Sequence, residues 1–128
     1  NFQYDEMLVT GQGDQGENLA IKLAQGNPMA GSTTKPGVGP SKEERETGYY
    51  DVLMIGENKD NQSIKISIKG DKDPGYGSTS KMIAESGIWL AENPSAKVGG
   101  IWTPASLMGN SLVEKLEKHA GISFEEET

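Results

Sequence analysis

Asp71, Asp73, Gly75 and Gly77 crowd one short turn, DKDPGYG at 71–77. If a helix comes next, the amides of Gly75 and Gly77 stand bare at its N-terminus and could hold an anion. Tyr76 would add a hydroxyl and Lys81, in the first helical turn, a positive charge. Asp71 and Asp73 oppose an anion electrostatically, so a purely structural turn is the competing reading. The spacing Asp71, Asp73, Gly75 copies part of a calcium loop. Pro74 interrupts it, and Met82 stands at the twelfth position where a bidentate Glu is needed, so no metal site is expected. His119 is the only imidazole. It falls near the C-terminus of a final helix, where the dipole favours a protonated ring, and no Ser/His pair with a third orienting residue can be assembled around it. Gly11, Gly13 and Gly16 spell G-x-G-x-x-G. A dinucleotide fingerprint also needs a strand before it, a helix after it and further βαβ structure. Residues 7–10 make a thin strand, and Gly26 and Pro28 interrupt the chain where the next half-unit should form, so no cofactor is expected to bind this chain.

Composition narrows the chemistry further. The chain has 128 residues and no cysteine, which excludes thiolate nucleophiles, disulfides and Cys-ligated metals. Twelve basic against nineteen acidic residues leave a net charge of −7. That balance disfavours a nucleic-acid backbone as partner. No apolar run reaches the roughly 18 residues that a membrane span needs. Seventeen glycines are about twice the usual share. The first residue is Asn1, so the chain is expected to be cut from a longer one, and its location is expected to be cytoplasmic.

The elements that must position these residues are read from local signals. Residues 1–10 alternate loosely through Phe2, Tyr4 and Leu8 and suggest an edge strand. Residues 11–38 read as a long Gly/Pro-rich loop, with one short helix around Leu19, Ala20, Leu23 and Ala24. Ser41 with Glu44 forms a capping box for a short charged helix over 41–48. Residues 49–70 carry two period-two runs joined by a loop at 56–62, with Ile64, Ile66 and Ile68 on one face and lysines and serines on the other. A helix runs from about 78 to 92, ended by Asn93–Pro94. Thr103 as cap with Pro104 at the first helical position starts another. A last helix over 111–120 ends at Gly121, before a short strand through Ile122 and Phe124. Trp89 and Trp102 are costly to expose and suit a core or an interface. The fold class is therefore α+β, an α/β sandwich with a mixed or largely antiparallel sheet and helices mainly on one face.

Three runs carry a resemblance: GPSKEERETGYYDVLMIGE at 39–57, KGDKDPGYGSTSKMIAESGIWLAE at 69–92 and GGIWTPASLMGNSLVEKLEKHAGISF at 99–124. Together they resemble the C-terminal part of saccharopine dehydrogenase-like oxidoreductases, in the branch that includes trans-acting enoyl reductases. FQYDE at 2–6 resembles the family's substrate-domain strand more weakly. The resemblance implies that residues 1–128 are the C-terminal part of a two-domain oxidoreductase. The missing partner would be the chain's own N-terminal Rossmann domain, which would bind NAD(P). This part would bind a small-molecule substrate and support a homodimer. By the same resemblance, Asp73, Pro74, Gly75, Tyr76 and Gly77 face the interdomain cleft, with Lys81 and Glu85 next on the helix. Trp102, Thr103 and Pro104 match the joint to the cofactor domain. No residue receives an acid–base role.

Two functions stand as expectations. As a substrate and dimerisation domain, the chain should expose an apolar patch with Trp102 or Trp89 at or near it. As a non-catalytic binding or assembly module, it should show a polar surface there.

Overall fold

A computed structural model of the chain describes residues 3–26, 37–94 and 99–127. It divides into two units, Asn1–Val38 and Gly39–Thr128.

The first unit holds α1 (Gly13–Gln25). The sequence suggested only a short helix inside a loop over 11–38, and the helix is longer than that. Leu, Ala, Lys and Gln over 18–25 are good helix formers, Asp14 and Lys22 sit at the dipole ends that suit their charges, and Gly26 closes the last turn through Lys22 O. Most of the remaining loop lies outside the described residues. The strand expected over 1–10 does not form across 3–10. Tyr4, Met7, Leu8 and Val9 are all exposed, so the alternation has no sheet to meet. Tyr4 instead donates its hydroxyl proton to Glu6, which pushes the phenol above its ordinary pKa.

The second unit is an antiparallel sheet with helices on one face, as the patterning implies. Its elements are α2 (Lys42–Thr47), β1 (Tyr50–Glu57), β2 (Ser63–Gly70), α3 (Gly77–Glu92), α4 (Pro104–Met108), α5 (Asn110–Lys115), a π-helical turn (Leu116–Ala120) and β3 (Ile122–Glu126). The strand order is β1-β2-β3. Val52 lies opposite Ile68 and Ile68 opposite Phe124; Gly70 lies opposite both Tyr50 and Ile122. The hairpin loop closes with Asn61 at φ 57, a left-handed position that Asn tolerates.

The core lies between this sheet face and the C-terminal helices. Leu116, Ala120 and Ile122 are buried, and Ile68, Met82, Leu112 and Phe124 pack around them. Lys115 ties the end of α5 to Glu92 of α3 at 3.1 Å. Gly121 ends the helical run with φ 69, and its N–H bonds to Leu116 O. A Cβ there would stand 2.3 Å from an Asp71 carboxylate oxygen, so both the left-handed backbone and the close approach call for glycine.

The isoleucine stripe is only partly a core stripe. Ile68 joins the core, Ile66 is half-buried and Ile64 is 50 % exposed. The cause is topological: β3 pairs with β2 only from Ile66 to Gly70, so the hairpin end extends beyond the third strand. No described helix is long and apolar enough to cross a membrane.

Candidate functional site

The turn at 71–77 is where four elements meet. Asp71 N bonds to Gly121 O at 3.1 Å, which ties the end of β2 to the start of β3. Asp73 N bonds to Arg45 O at 3.3 Å, and Lys72 Nζ to Glu46 O at 3.2 Å, so α2 rests on the turn. The contact is close. A Cβ on Gly48 would stand 2.7 Å from Asp73 Cα, and one on Gly77 2.7 Å from Arg45 O. Both glycines are needed by approach, not by backbone angle. Arg45 is itself anchored, with Nη1 donating to Pro40 O at 2.7 Å.

Asp73 organises this junction. Its carboxylate accepts from Gly75 N at 3.0 Å, Tyr76 N at 3.0 Å and Gly77 N at 2.5 Å, and its carbonyl accepts from Ser78 N at 2.8 Å. Of these, the Gly77 and Ser78 amides are donors that the start of α3 would otherwise leave unpaired. The amide of Gly77 lowers the carboxyl's pKa most, then that of Tyr76. Partial withdrawal from water opposes them, while the amide of Gly75 and the charge of Arg45 add to the lowering.

This corrects one expectation. The amides of Gly75 and Gly77 are not bare for an anion, because Asp73 folds back and takes them. A carboxylate already attached to the chain fills the position that a free anion would need. The sequence carried a sign of this, since Asp side chains bond to backbone N–H groups two residues on in such turns.

Tyr76, also singled out from the sequence, is 59 % exposed, with its ring close over Gly39. Lys81 turns inward along α3. Its ammonium lies 3.4 Å from Ala120 O and 3.8 Å from Asp71 Oδ1, so it braces the helical C-terminus and the turn together. A shallow depression of about 370 Å3 opens beside that brace, lined by Lys69, Asp71, Glu117 and Gly121 among others. His119 is exposed on the π-helical turn. Among the described residues, no three metal-ligating side chains come together.

Trp102, Thr103 and Pro104, which the resemblance matches to the joint with a cofactor domain, are exposed in this chain. Trp102 is 48 % exposed and comes directly after the fully exposed Ile101. Thr103 caps α4: Ser106 N donates to Thr103 Oγ1 at 3.3 Å, and Thr103 N donates to Ser106 Oγ at 3.1 Å. Thr103→Ala should therefore cost about 1 kcal/mol, read as a lower urea midpoint at unchanged slope; no shift would mean that the box adds nothing. The outward side of α3 is apolar too, with Ile83 71 % exposed and Ile88 and Leu90 about half exposed.

Arg45, Gly48 and Ser78 also hold the junction. Ser78, a candidate cap from the sequence, does not cap α3, whose N-cap is Tyr76; its hydroxyl instead makes a 2.9 Å hydrogen bond with the Tyr50 hydroxyl. Ser78 is almost fully buried. Its only sequence sign was its place at the start of a helix.

No family model and no solved structure matches the chain. It is 37 % identical over 93 residues to a Mycobacterium tuberculosis protein provisionally named as a trans-acting enoyl reductase. It is 33 % identical over 86 residues to trans-acting enoyl reductases of Mycobacterium bovis and Mycobacterium ulcerans. These alignments cover 71 % and 66 % of this chain but only 22 % and 20 % of the relatives. The chain is thus homologous to trans-acting enoyl reductases over most of its length and spans about a fifth of theirs.

Proposed function

We propose that these residues form the substrate-binding and dimerisation part of a cytoplasmic, NAD(P)-dependent oxidoreductase of the saccharopine dehydrogenase-like kind. The observation that carries this reading is the homology, which takes in most of this chain and about a fifth of each relative.

The fold is consistent with a division of labour. The described sheet is antiparallel, whereas dinucleotide sites are built on parallel βαβ units. The described residues do not fit a dinucleotide phosphate. Asp73 occupies the amides at the head of α3, and the glycines at 11, 13 and 16 have no strand before them. The reading therefore assigns NAD(P) to a Rossmann domain outside these residues. NAD(P)H would supply a hydride there. This part would present the face around Tyr76, Lys81 and the depression beside Asp71 to a small substrate. Trp102, Thr103 and Pro104 would meet the cofactor domain.

The test is a titration of the full-length parent protein and of the 128-residue chain with NADPH and NADH, monitored by nicotinamide fluorescence. The parent should bind and the chain alone should not. Binding by the chain alone would overturn the division of labour. A folded parent that binds neither nucleotide would overturn the oxidoreductase reading in favour of a non-catalytic assembly module.

A further inference from the structure

Among the described residues β1 lies at the edge of the sheet, and the hydrogen bonds at the sheet's margins show which of its backbone groups face outward. Asn58 N donates to Gln62 O at 3.0 Å, and Glu127 N to Lys65 O at 2.9 Å. Bonded and non-bonded residue pairs alternate along an antiparallel ladder. Even-numbered residues of β1 therefore bond to β2. Asp51, Leu53, Ile55 and Glu57 direct their N–H and C=O groups away from the sheet.

The two edges differ in what guards them. β3 ends in Glu125 and Glu126, with Glu127 next, and such charges discourage strand addition. β1 carries carboxylates only near its ends, at 51 and 57. Between them, Val52, Leu53, Met54 and Ile55 are 46 % to 58 % exposed. A long, apolar, open edge is a template for another strand.

We propose that β1 pairs antiparallel with β1 of a second copy, across a two-fold axis at Leu53, joining two three-stranded sheets into one of six. The chain's own charges select the register. An axis at Met54 would set Asp51 opposite Glu57 of the second copy, and like charges directly opposite are destabilising. An axis at Ile55 would set Leu53 opposite Glu57. The axis at Leu53 sets leucine on leucine and Val52 opposite Met54, with Asp51 opposite Ile55. Lys65 is the neighbour of Ile55 on β2, and it makes no ion pair among the described residues. It then shares a cross-strand row with the incoming Asp51. A second copy of this edge thus answers both its apolar centre and its unpaired lysine. The proposal rests on the dimerisation part of the function proposed above, not on its hydride-transfer part. One strand seam is small beside a standard interface of about 1,600 Å2, so the association should be about micromolar or weaker.

The chain has no cysteine, so Leu53→Cys places a single thiol at the axis. Under mild oxidation it should give covalent dimers, and Ile83→Cys on the outward side of α3 should not. In sedimentation equilibrium the unmodified 128-residue chain should dimerise. Leu53→Lys, at a position 53 % exposed, should be monomeric at the same concentration with an unchanged far-UV circular dichroism spectrum. A chain that stays monomeric to millimolar concentration, a dimer indifferent to Leu53→Lys, or equal cross-linking through Ile83→Cys would each overturn the proposal. So would β1 amides that are protected from exchange in a monomeric full-length parent, which would give the edge to another strand of the parent. Nucleotide binding by the parent is read separately, so the oxidoreductase reading stands or falls on its own result.

Discussion

Leu116→Ala is expected to destabilise the Gly39–Thr128 unit by about 2–5 kcal/mol, the range for a truncated core leucine. Leu116 is 5 % exposed and sits at the start of the π-helical turn, where it meets Ala120 and Ile122. Ile68 and Phe124 from the sheet and Met82 and Leu112 from the helices close around this group. The core it belongs to is small. Among the described residues, the buried apolar side chains are Met108, Leu116, Ala120 and Ile122. A domain's whole stability is about 5–15 kcal/mol, so this one truncation removes a large share. Urea unfolding monitored by circular dichroism should show a lower midpoint at an unchanged slope. Val113→Ala, at a more exposed position of α5, should cost much less. A loss below about 1 kcal/mol for Leu116→Ala would move the centre of the core elsewhere, because even Ile→Val in a core costs about that much.

What the sequence disclosed about this unit was mainly local chemistry. Ser41 with Glu44 caps α2, and Thr103, with Pro104 at the first helical position, caps α4. Asn93–Pro94 stops α3, and Gly121 stops the last helical run. Such features depend on neighbours a few residues away, so spacing reveals them. The burial of the Ile64, Ile66, Ile68 stripe depended on how far β3 and the helices extend along β2, and period-two alternation is silent on that. The π-helical turn was hidden for a similar reason. Leu116 and Ala120 are four apart, a spacing that an α-helix satisfies equally well. The candidate site was found in place but not in role. Asp73, Gly75 and Gly77 do come together, as their spacing suggested. Which partner the amides choose turned on a side-chain rotation and on the docking of α2, which involves residues more than twenty-five positions upstream.

Asp73→Asn is expected to weaken the same unit near neutral pH and to flatten its loss of stability in acid. The carboxylate of Asp73 receives three backbone N–H groups, and these hold its pKa below the ordinary value in the folded state. In the unfolded chain an Asp titrates near 3.9. Between the two values the unfolded state binds more protons, so stability rises with pH there. The contribution of Asp73 is therefore complete above about pH 4 and is lost as pH falls through the lower folded value. Glu44 acts in the same direction, since the Ser41 amide and hydroxyl lower its pKa. Asparagine keeps one acceptor oxygen but no charge, so it should cap α3 more weakly and contribute no titration of its own. Other carboxylates also titrate below pH 4, and the difference between the two proteins isolates position 73. Urea midpoints between pH 3 and pH 7 should therefore lie furthest apart at neutral pH and converge in acid. Parallel curves would mean that the ionised carboxylate does not hold the turn. In that case the amides of Gly75 and Gly77 would again be open to an anion, and the face beside Tyr76 would have a stronger claim to bind one.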